Sequence, residues 1–299
     1  QPDEILYNII DTSDYHGFNV SCNDLSDGFL DLDVYGGFGD FIYGWSSSDG
    51  VVSDPLSQNQ SGIPAGDYTL KATDEMNCYK EWTFTISEPD SLSINPVLSD
   101  YNTYNVSCYD GSNGDITLNP GGGANPYSYV WSGGNADSNA ENQTGLISAE
   151  YTVNVKDMND CEASWDIELT QPDSIHSEII PTTVSCNGTN DGAADLTVSG
   201  GVSPYLYAWN NGDNTEDIDS LFIGTYRVTI TDQNSCIKLD STGITEPPKI
   251  IIDLESPLQW NGKMISCFGE SDADINSTVD GGVGTFDYHW MPNGEQTDH

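Results

Sequence analysis

Seven cysteines stand at positions 22, 78, 108, 161, 186, 236 and 267, and their neighbours decide which sulfur chemistry is open to them. Zinc needs clustered thiolates and imidazoles, but no CxxC occurs, and His16, His176, His289 and His299 share no position relative to the cysteines. Oxidation remains, and the cysteines sort into two contexts. "VSC" or "ISC" closes on the early residues Cys22, Cys108, Cys186 and Cys267, while the late residues Cys78, Cys161 and Cys236 end "DEMNC", "DMNDC" and "DQNSC". Early and late cysteines lie 56, 53 and 50 residues apart. Disulfides 22–78, 108–161 and 186–236 would each stabilise by about 4 kcal/mol in the chain-entropy treatment. The competing reading keeps them reduced and buried as small apolar groups. Cys267 has no later cysteine to meet and is expected to be unpaired, its partner lying past residue 299.

Acids recur beside both kinds of cysteine. Asp74, Asp157 and Asp232 open the turn before each late cysteine, and Asp27, Asp115 and Asp191 follow each early one. Such residues stabilise turns by bonding their own backbone. Ca2+ takes about six to eight oxygens, which two acidic turns and nearby carbonyls could supply if they met in space; no EF-hand loop is present. Aromatic residues recur too. Trp45, Trp131, Trp209 and Trp290 are each preceded two residues earlier by Tyr43, Tyr129, Tyr207 and Tyr288. Tryptophan at these positions reads as core, and the Tyr/Trp pair reads either as core or as an exposed strip for sugars. No Ser or Cys nucleophile recurs with a matching His and acid, so the chain does not read as an enzyme.

The spacing of these residues reveals the scaffold. Early cysteines follow one another at steps of 86, 78 and 81 residues; a Gly pair starts 14 residues after each (Gly36, Gly122, Gly200, Gly281) and the tryptophan stands 23 residues after each. Tyr68, Tyr151 and Tyr226 each stand ten residues before the late cysteine, and only the Trp-to-Cys stretch varies, at 33, 30 and 27 residues. Length variation confined to one place marks a surface loop between fixed elements of a repeat. "SEPDSLSI", "TQPDSIHS" and "TEPPKIII" put a proline at each junction, and the chain opens on the same boundary with Pro2. The repeats are therefore 1–88, 89–171, 172–246 and a truncated 247–299.

Within a repeat the period is two. "DYTLKATD" sets Tyr68, Leu70 and Ala72 on one face, as "TYRVTITD" sets Tyr226, Val228 and Ile230, which marks half-buried strands. "LSINPV", the "VSC" segment, "GDITLNP", "YSYVW", "YTVNVKD" and "WDIELT" give six or seven short strands in about 80 residues, the profile of an immunoglobulin-like β-sandwich. The fold class is all-β, with such sandwiches in tandem.

Composition bounds the partners. The chain has 48 acidic residues against 7 Lys and Arg, a net charge of −41, which excludes nucleic acid because binding there requires a cationic footprint. The acidic surface keeps chains soluble and apart. No apolar run is long enough to span a membrane. The start, "QPDEI", shows neither Met nor a signal peptide and reads as a fragment or a processed chain.

The combined phrase VSC…GG…PYxYxW…GxYxVxVxDxNxC…xEP resembles the SprB-type repeat of cell-surface adhesins in gliding Bacteroidota. The resemblance covers all four copies. It implies secretion by the type IX system, attachment at the outer membrane on the extracellular side, and service in gliding motility or surface attachment as part of a long filament. It implies as partners a surface polysaccharide or other extracellular surface, neighbouring copies of the repeat, and the gliding or secretion machinery. No cofactor is implied; Ca2+ is the one ion that the acidic turns could take. Ser91, Ser174 and Ser220 sit in Asp-Ser-apolar tripeptides that resemble O-glycosylation acceptors of that phylum. Ala149 departs from the usual Gly before Tyr151, and Asp160 and Ser235 depart from the Gly expected before the late cysteine. The alternative function is a carbohydrate-binding array of a polysaccharide-degrading system. It predicts solvent-exposed Trp82, Trp165 and Trp260.

Overall fold

The computed structural model describes residues 3–48 and 51–290; the junction proline expected at Pro2, and His299, lie outside them. Two compact units, Gln1–Gln171 and Pro172–His299, make up the chain. The described residues contain 22 strands and no helix.

In the first unit, repeat one contributes β1 (Asp3–Thr12), β2 (Gly28–Gly37), β3 (Ile42–Ser47), β4 (Gln60–Ile63), β5 (Gly66–Thr73) and β6 (Tyr79–Ile86). One antiparallel sheet has the order β1-β2-β4 and the other β3-β5-β6. Repeat two follows with β7 (Ser93–Ile94), β8 (Val97–Leu98), β9 (Gly114–Thr117), β10 (Pro120–Gly121), β11 (Ser128–Ser132), β12 (Gln143–Leu146), β13 (Ala149–Lys156) and β14 (Glu162–Leu169). Its sheets are β8-β9-β12 with the short pair β7-β10, and β11-β13-β14. Pro96 and Pro120 lie where this pairing is interrupted between β7-β10 and β8-β9, and each removes an N–H from the ladder.

The second unit repeats the plan with β15 (His176–Thr182), β16 (Gly192–Ser199), β17 (Leu206–Trp209), β18 (Ile218–Leu221), β19 (Gly224–Thr231) and β20 (Ile237–Ile244), in sheets β15-β16-β18 and β17-β19-β20. The fourth copy adds the pair β21 (Ile251–Glu255) and β22 (Asn276–Asp280). The chain is thus a tandem of immunoglobulin-like β-sandwiches. One expected strand is absent: the "VSC" segment is a loop, in which Asn19 N and Val20 N both donate to Ser87 O at 2.9 Å. Two successive amides on one carbonyl cannot belong to a ladder, where they point to opposite sides.

Alternation builds three separate cores. Leu30, Leu32 and Val34 of β2 face Tyr68, Leu70 and Ala72 of β5; Tyr151, Val153 and Val155 form the second core with Ile116 and Leu118, and Val228 and Ile230 the third with Ala194 and Leu196. Trp45, Trp131 and Trp209 are buried in these cores, while Trp290 is half-buried. Each buried indole donates from Nε1 to a carbonyl of the variable loop: Ser57 O at 2.9 Å, Ala140 O at 2.7 Å and Thr215 O at 3.0 Å. The loop can therefore change length between two pinned ends. Tyr68, Tyr151 and Tyr226 donate from Oη to the carbonyl four residues back, on Pro64, Ile147 and Phe222, the corner arrangement of such sandwiches.

The first glycine of each pair marks a crossing. A Cβ on Gly36, Gly122 or Gly200 would lie 2.0 Å from the carbonyl oxygen of Glu4, Ser91 or Ser174, and on Gly281 it would lie 2.1 Å from Lys249 O. The chain folds back on the start of its own repeat, which leaves no room for a side chain.

Candidate functional site at the joint between repeats

Each repeat has two distinct ends. The early loop caps the end where the last strand finishes. In repeat one, Ser21 N donates to Asp27 Oδ1 at 3.0 Å, Asn23 Nδ2 to Pro89 O at 3.3 Å, and Asp24 N to Glu88 Oε2 at 2.7 Å. The ties recur in repeat three, as Ser185 N to Asp191 Oδ1 (2.9 Å), Asn187 Nδ2 to Pro247 O (3.2 Å) and Gly188 N to Glu246 Oε2 (2.9 Å). In repeat two, Ser107 N donates to Asn113 Oδ1 at 3.1 Å and Asp110 N to Gln171 Oε1 at 3.0 Å. The acid or amide before each junction proline thus clamps the early loop to the linker, and "SEP", "TQP" and "TEP" were the signal that could have shown it.

The late cysteine sits at the opposite end, on the tip of the hairpin that precedes the last strand. Asp157 builds that tip. Its Oδ1 accepts Asn159 N at 2.8 Å and Cys161 N at 2.9 Å, its Oδ2 accepts Ala124 N at 2.8 Å, and its own N donates to Cys161 O at 3.0 Å. Asp74 and Asp232 take Phe38 N and Val202 N on Oδ2 and the late cysteine's N on Oδ1 in the same way. All three are buried. The residue before each late cysteine, Asn77, Asp160 or Ser235, has φ of 62°, 67° and 67°, the left-handed conformation for which Gly is the expected occupant.

These ends meet across the joint of the first unit. Cys22 of repeat one is disulfide-bonded to Cys161 of repeat two, with Cα atoms 5.7 Å apart. Asn159 reaches over the same seam: its Nδ2 donates to Ser21 O at 2.9 Å and Tyr15 O at 3.2 Å, and its Oδ1 accepts from His16 Nδ1 at 2.5 Å. A cleft of about 400 Å³ lies alongside, lined by Leu25, Pro89, Leu92 and Ala163 among others. Lys156 pairs with Asp160 at 2.9 Å and Glu162 at 3.6 Å on either side of Cys161, and the hydrogen bond to Asp160 raises its pKa.

The expected pairs 22–78, 108–161 and 186–236 are corrected by this arrangement. Cys161 takes Cys22, and Cys78, Cys186 and Cys267 are exposed free thiols; Cys108 and Cys236 are disulfide-bonded as well. The physical reason is strand length. Cys78 precedes the eight residues of β6, and Ser87, which anchors the early loop, follows them. At about 3.3 Å per residue the two cysteines of one repeat are therefore roughly 25–30 Å apart, far beyond the reach of a disulfide.

Within a repeat the two acidic turns occupy opposite ends, and their carboxylates are engaged by backbone N–H groups. Asp115 stands two residues out of register with Asp27 and Asp191, its place being taken by Asn113; Asp115 Oδ1 accepts Gly145 N at 3.3 Å instead. Among the described residues no group of three His, Cys, Asp or Glu is arranged to hold a metal. The aromatic strip is not open either. Tyr43, Tyr129 and Tyr207 are half-buried against the cores, and burial, with Glu141 beside Tyr129 and Glu216 beside Tyr207, pushes those two phenols up to about 12; Tyr288 is exposed. Trp82 and Trp165 pack on the cores, while Trp260 is 46% exposed. The side chains of Ser91, Ser174 and Ser220 face solvent.

Comparison with known families decides what the repeats are. The SprB repeat model matches residues 101–136, 179–214 and 265–294. Three of the four copies thus hold a segment similar to the SprB repeat. Each matched segment holds its early cysteine, the Gly pair and the tryptophan. The first copy lies outside the matched segments yet carries the same sheets, loop ties and hairpin tip as the third. No curated protein matches the chain. Among solved structures, the chain is similar to one described as the structural basis for Dscam isoform specificity (11% identity, 74% of this chain and 70% of that chain, TM-score 0.24). It is also similar to Dpr2 Ig1-Ig2 in complex with DIP-Theta Ig1-Ig3 (10%, 81% and 99%, TM-score 0.29), and to the N-terminal four Ig domains of Dscam1 isoform 6.44 (13%, 82% and 72%, TM-score 0.23).

Proposed function

We propose that these SprB repeats form a non-enzymatic, semi-rigid acidic stalk within a long secreted adhesin or filament held at the outer membrane, serving gliding motility or attachment. The observation that carries the reading is the joint. Repeats one and two are linked twice, by a short proline-containing linker clamped to the early loop and by the Cys22–Cys161 bond. Two connections at one seam oppose swivelling. Disulfides also belong to chains that mature outside the reducing cytosol, and the charge of −41 keeps neighbouring stalks from collapsing onto one another. The stalk's business is to hold a distal adhesive region against a polysaccharide or similar surface. Glycans on Ser91, Ser174 and Ser220 would add bulk to it without entering the cores.

Small-angle scattering tests the mechanical part. With each complete sandwich about one ten-residue strand long, roughly 33 Å, three of them in line and a partial fourth should give a maximum dimension on the order of 110–130 Å that is unchanged by added salt. A particle of half that length, or one that shrinks as salt screens the acids, would overturn the stalk. Antibody labelling of intact cells tests the location, with surface staining expected.

A further inference from the structure

We propose that the Cys22–Cys161 bond is a tension bypass: it carries axial force from one repeat to the next along two edge strands and leaves 138 intervening residues out of the force path. The inference rests on the stalk reading for its biological use, but its physics follows from connectivity alone.

The start of β1 lies at the late-cysteine end of repeat one, where Glu4 pairs with Lys80 at 3.0 Å and Asp3 stands opposite Gly37 in register. From there β1 crosses the whole sandwich, and the chain reaches Cys22 at the other end through residues 13–21. The disulfide transfers the path to Cys161, from which β14 crosses repeat two in eight residues and ends beside the early loop of that repeat, where Asn105 N and Val106 N donate to Thr170 O at 3.0 and 2.9 Å. A pull between the first residues and the junction at Gln171 therefore runs through β1, the sulfurs and β14. Residues 23–160, which hold both complete cores apart from contributions of β1, the segment leading to Cys22, and β14, carry no obligatory tension.

Two features make this path stiff. Both β1 and β14 are edge strands of their sheets, each paired to one neighbour, β2 or β13, so the central strands lie beside the tension path and not in it. A β-strand is also already near the contour limit of its backbone, at about 3.3 Å per residue against a maximum of about 3.3–3.6 Å, so neither strand can lengthen appreciably. Only the loop between Thr12 and Cys22 holds slack, on the order of 30 Å. Without the bond the same pull could unravel both sandwiches.

Single-molecule force spectroscopy on the whole 299-residue chain tests this, with one handle at the N-terminus and the other on a reactive residue introduced at the exposed position Asp173. The oxidised chain should extend by little more than the loop slack before a handle fails. Cys161→Ser should release up to 139 further residues, roughly 460–500 Å of contour. Should that variant fold poorly, adding dithiothreitol to a wild-type molecule already under load should produce the same increment. Oxidised wild type that unravels to the length of Cys161→Ser would overturn the bypass, and so would reductant that adds no length. Neither result bears on whether the protein stands at the cell surface, which labelling decides separately.

Discussion

The seam between repeats one and two and the seam between repeats three and four are built alike up to one element. At both, the early loop is tied to an Asp five residues after the cysteine, to a junction carbonyl by an Asn side chain, and to a junction Glu by a backbone amide. At both, the second glycine of the next repeat donates to the junction carbonyl, Gly123 N to Asp90 O at 2.7 Å and Gly282 N to Pro248 O at 2.8 Å. The first seam is then closed by Asp160 to Ala163, with Cys161 on Cys22. At the second, Cys186 is a free thiol beside a cleft of about 350 Å³ lined by Pro247, Pro248 and Ile250. The difference teaches that the receiving half of a seam is shaped by its own repeat and linker, without help from the sulfur bond, whereas the hairpin tip that fills it belongs to the next repeat.

The strongest way to break this comparison is to make the first seam resemble the second. Cys161→Ser opens a loop of 139 residues, which is worth up to about 5 kcal/mol in the chain-entropy treatment. The urea midpoint of the first unit should fall accordingly, read by the fluorescence of the buried Trp45 and Trp131. Without reductant, wild type should titrate three thiols, Cys78, Cys186 and Cys267, and the variant one more, Cys22. An unchanged midpoint would mean that the clamps alone hold the seam.

A smaller effect separates the tip from the sulfur it carries. Asp157→Ala removes the acceptors of three backbone N–H groups in a buried site, which should cost about 2–4 kcal/mol. Because that loss is independent of the disulfide, it should appear equally in reduced and oxidised protein under urea. A loss confined to oxidised protein would show that Asp157 acts only by presenting Cys161.

The smallest effect probes the open seam. Hydrogen bonds from Ser185 and Thr189 hold the Asp191 carboxyl down to about 2, against an ordinary value of 3.8. A lowered folded-state value means that the tie is fully present above the ordinary value and is lost as pH falls toward 2. Amide exchange at Ser185, whose N–H that carboxylate accepts, should stay slow down to about pH 4 and lose protection between there and about pH 2. Protection that persists below that window would mean the loop needs no carboxylate.

Much of this architecture was legible in the sequence, because alternation and spacing act locally. The face carrying Tyr68, Leu70 and Ala72, the buried tryptophans and the fixed Cys-to-Gly-to-Trp intervals each follow from a strand meeting a core. The sulfur pairing was not legible from counting, since one early and one late cysteine per repeat is equally consistent with bonds inside a repeat and bonds between repeats. Distance decides, and it could have been read from the full-length alternating strand "YKEWTFTI" that separates Cys78 from the anchor at Ser87. The acids misled for a related reason. Position relative to the cysteine, not acidity, defines the loop tie, so Asn113 fills the role and Asp115 does not. Asn159 and His16, which meet across 143 residues of sequence, belong to two different repeats, and periodicity within one repeat could not join them.

The two unlike ends of each sandwich give the chain a polarity. Between repeats one and two a loop-bearing end receives a hairpin-bearing end, so the order of the two is written into that seam. Recombination that gains or loses whole repeats would keep a loop-bearing half and a hairpin-bearing half of this kind available to each other, whereas an exchange out of register by part of a repeat would strand a cysteine at the scar.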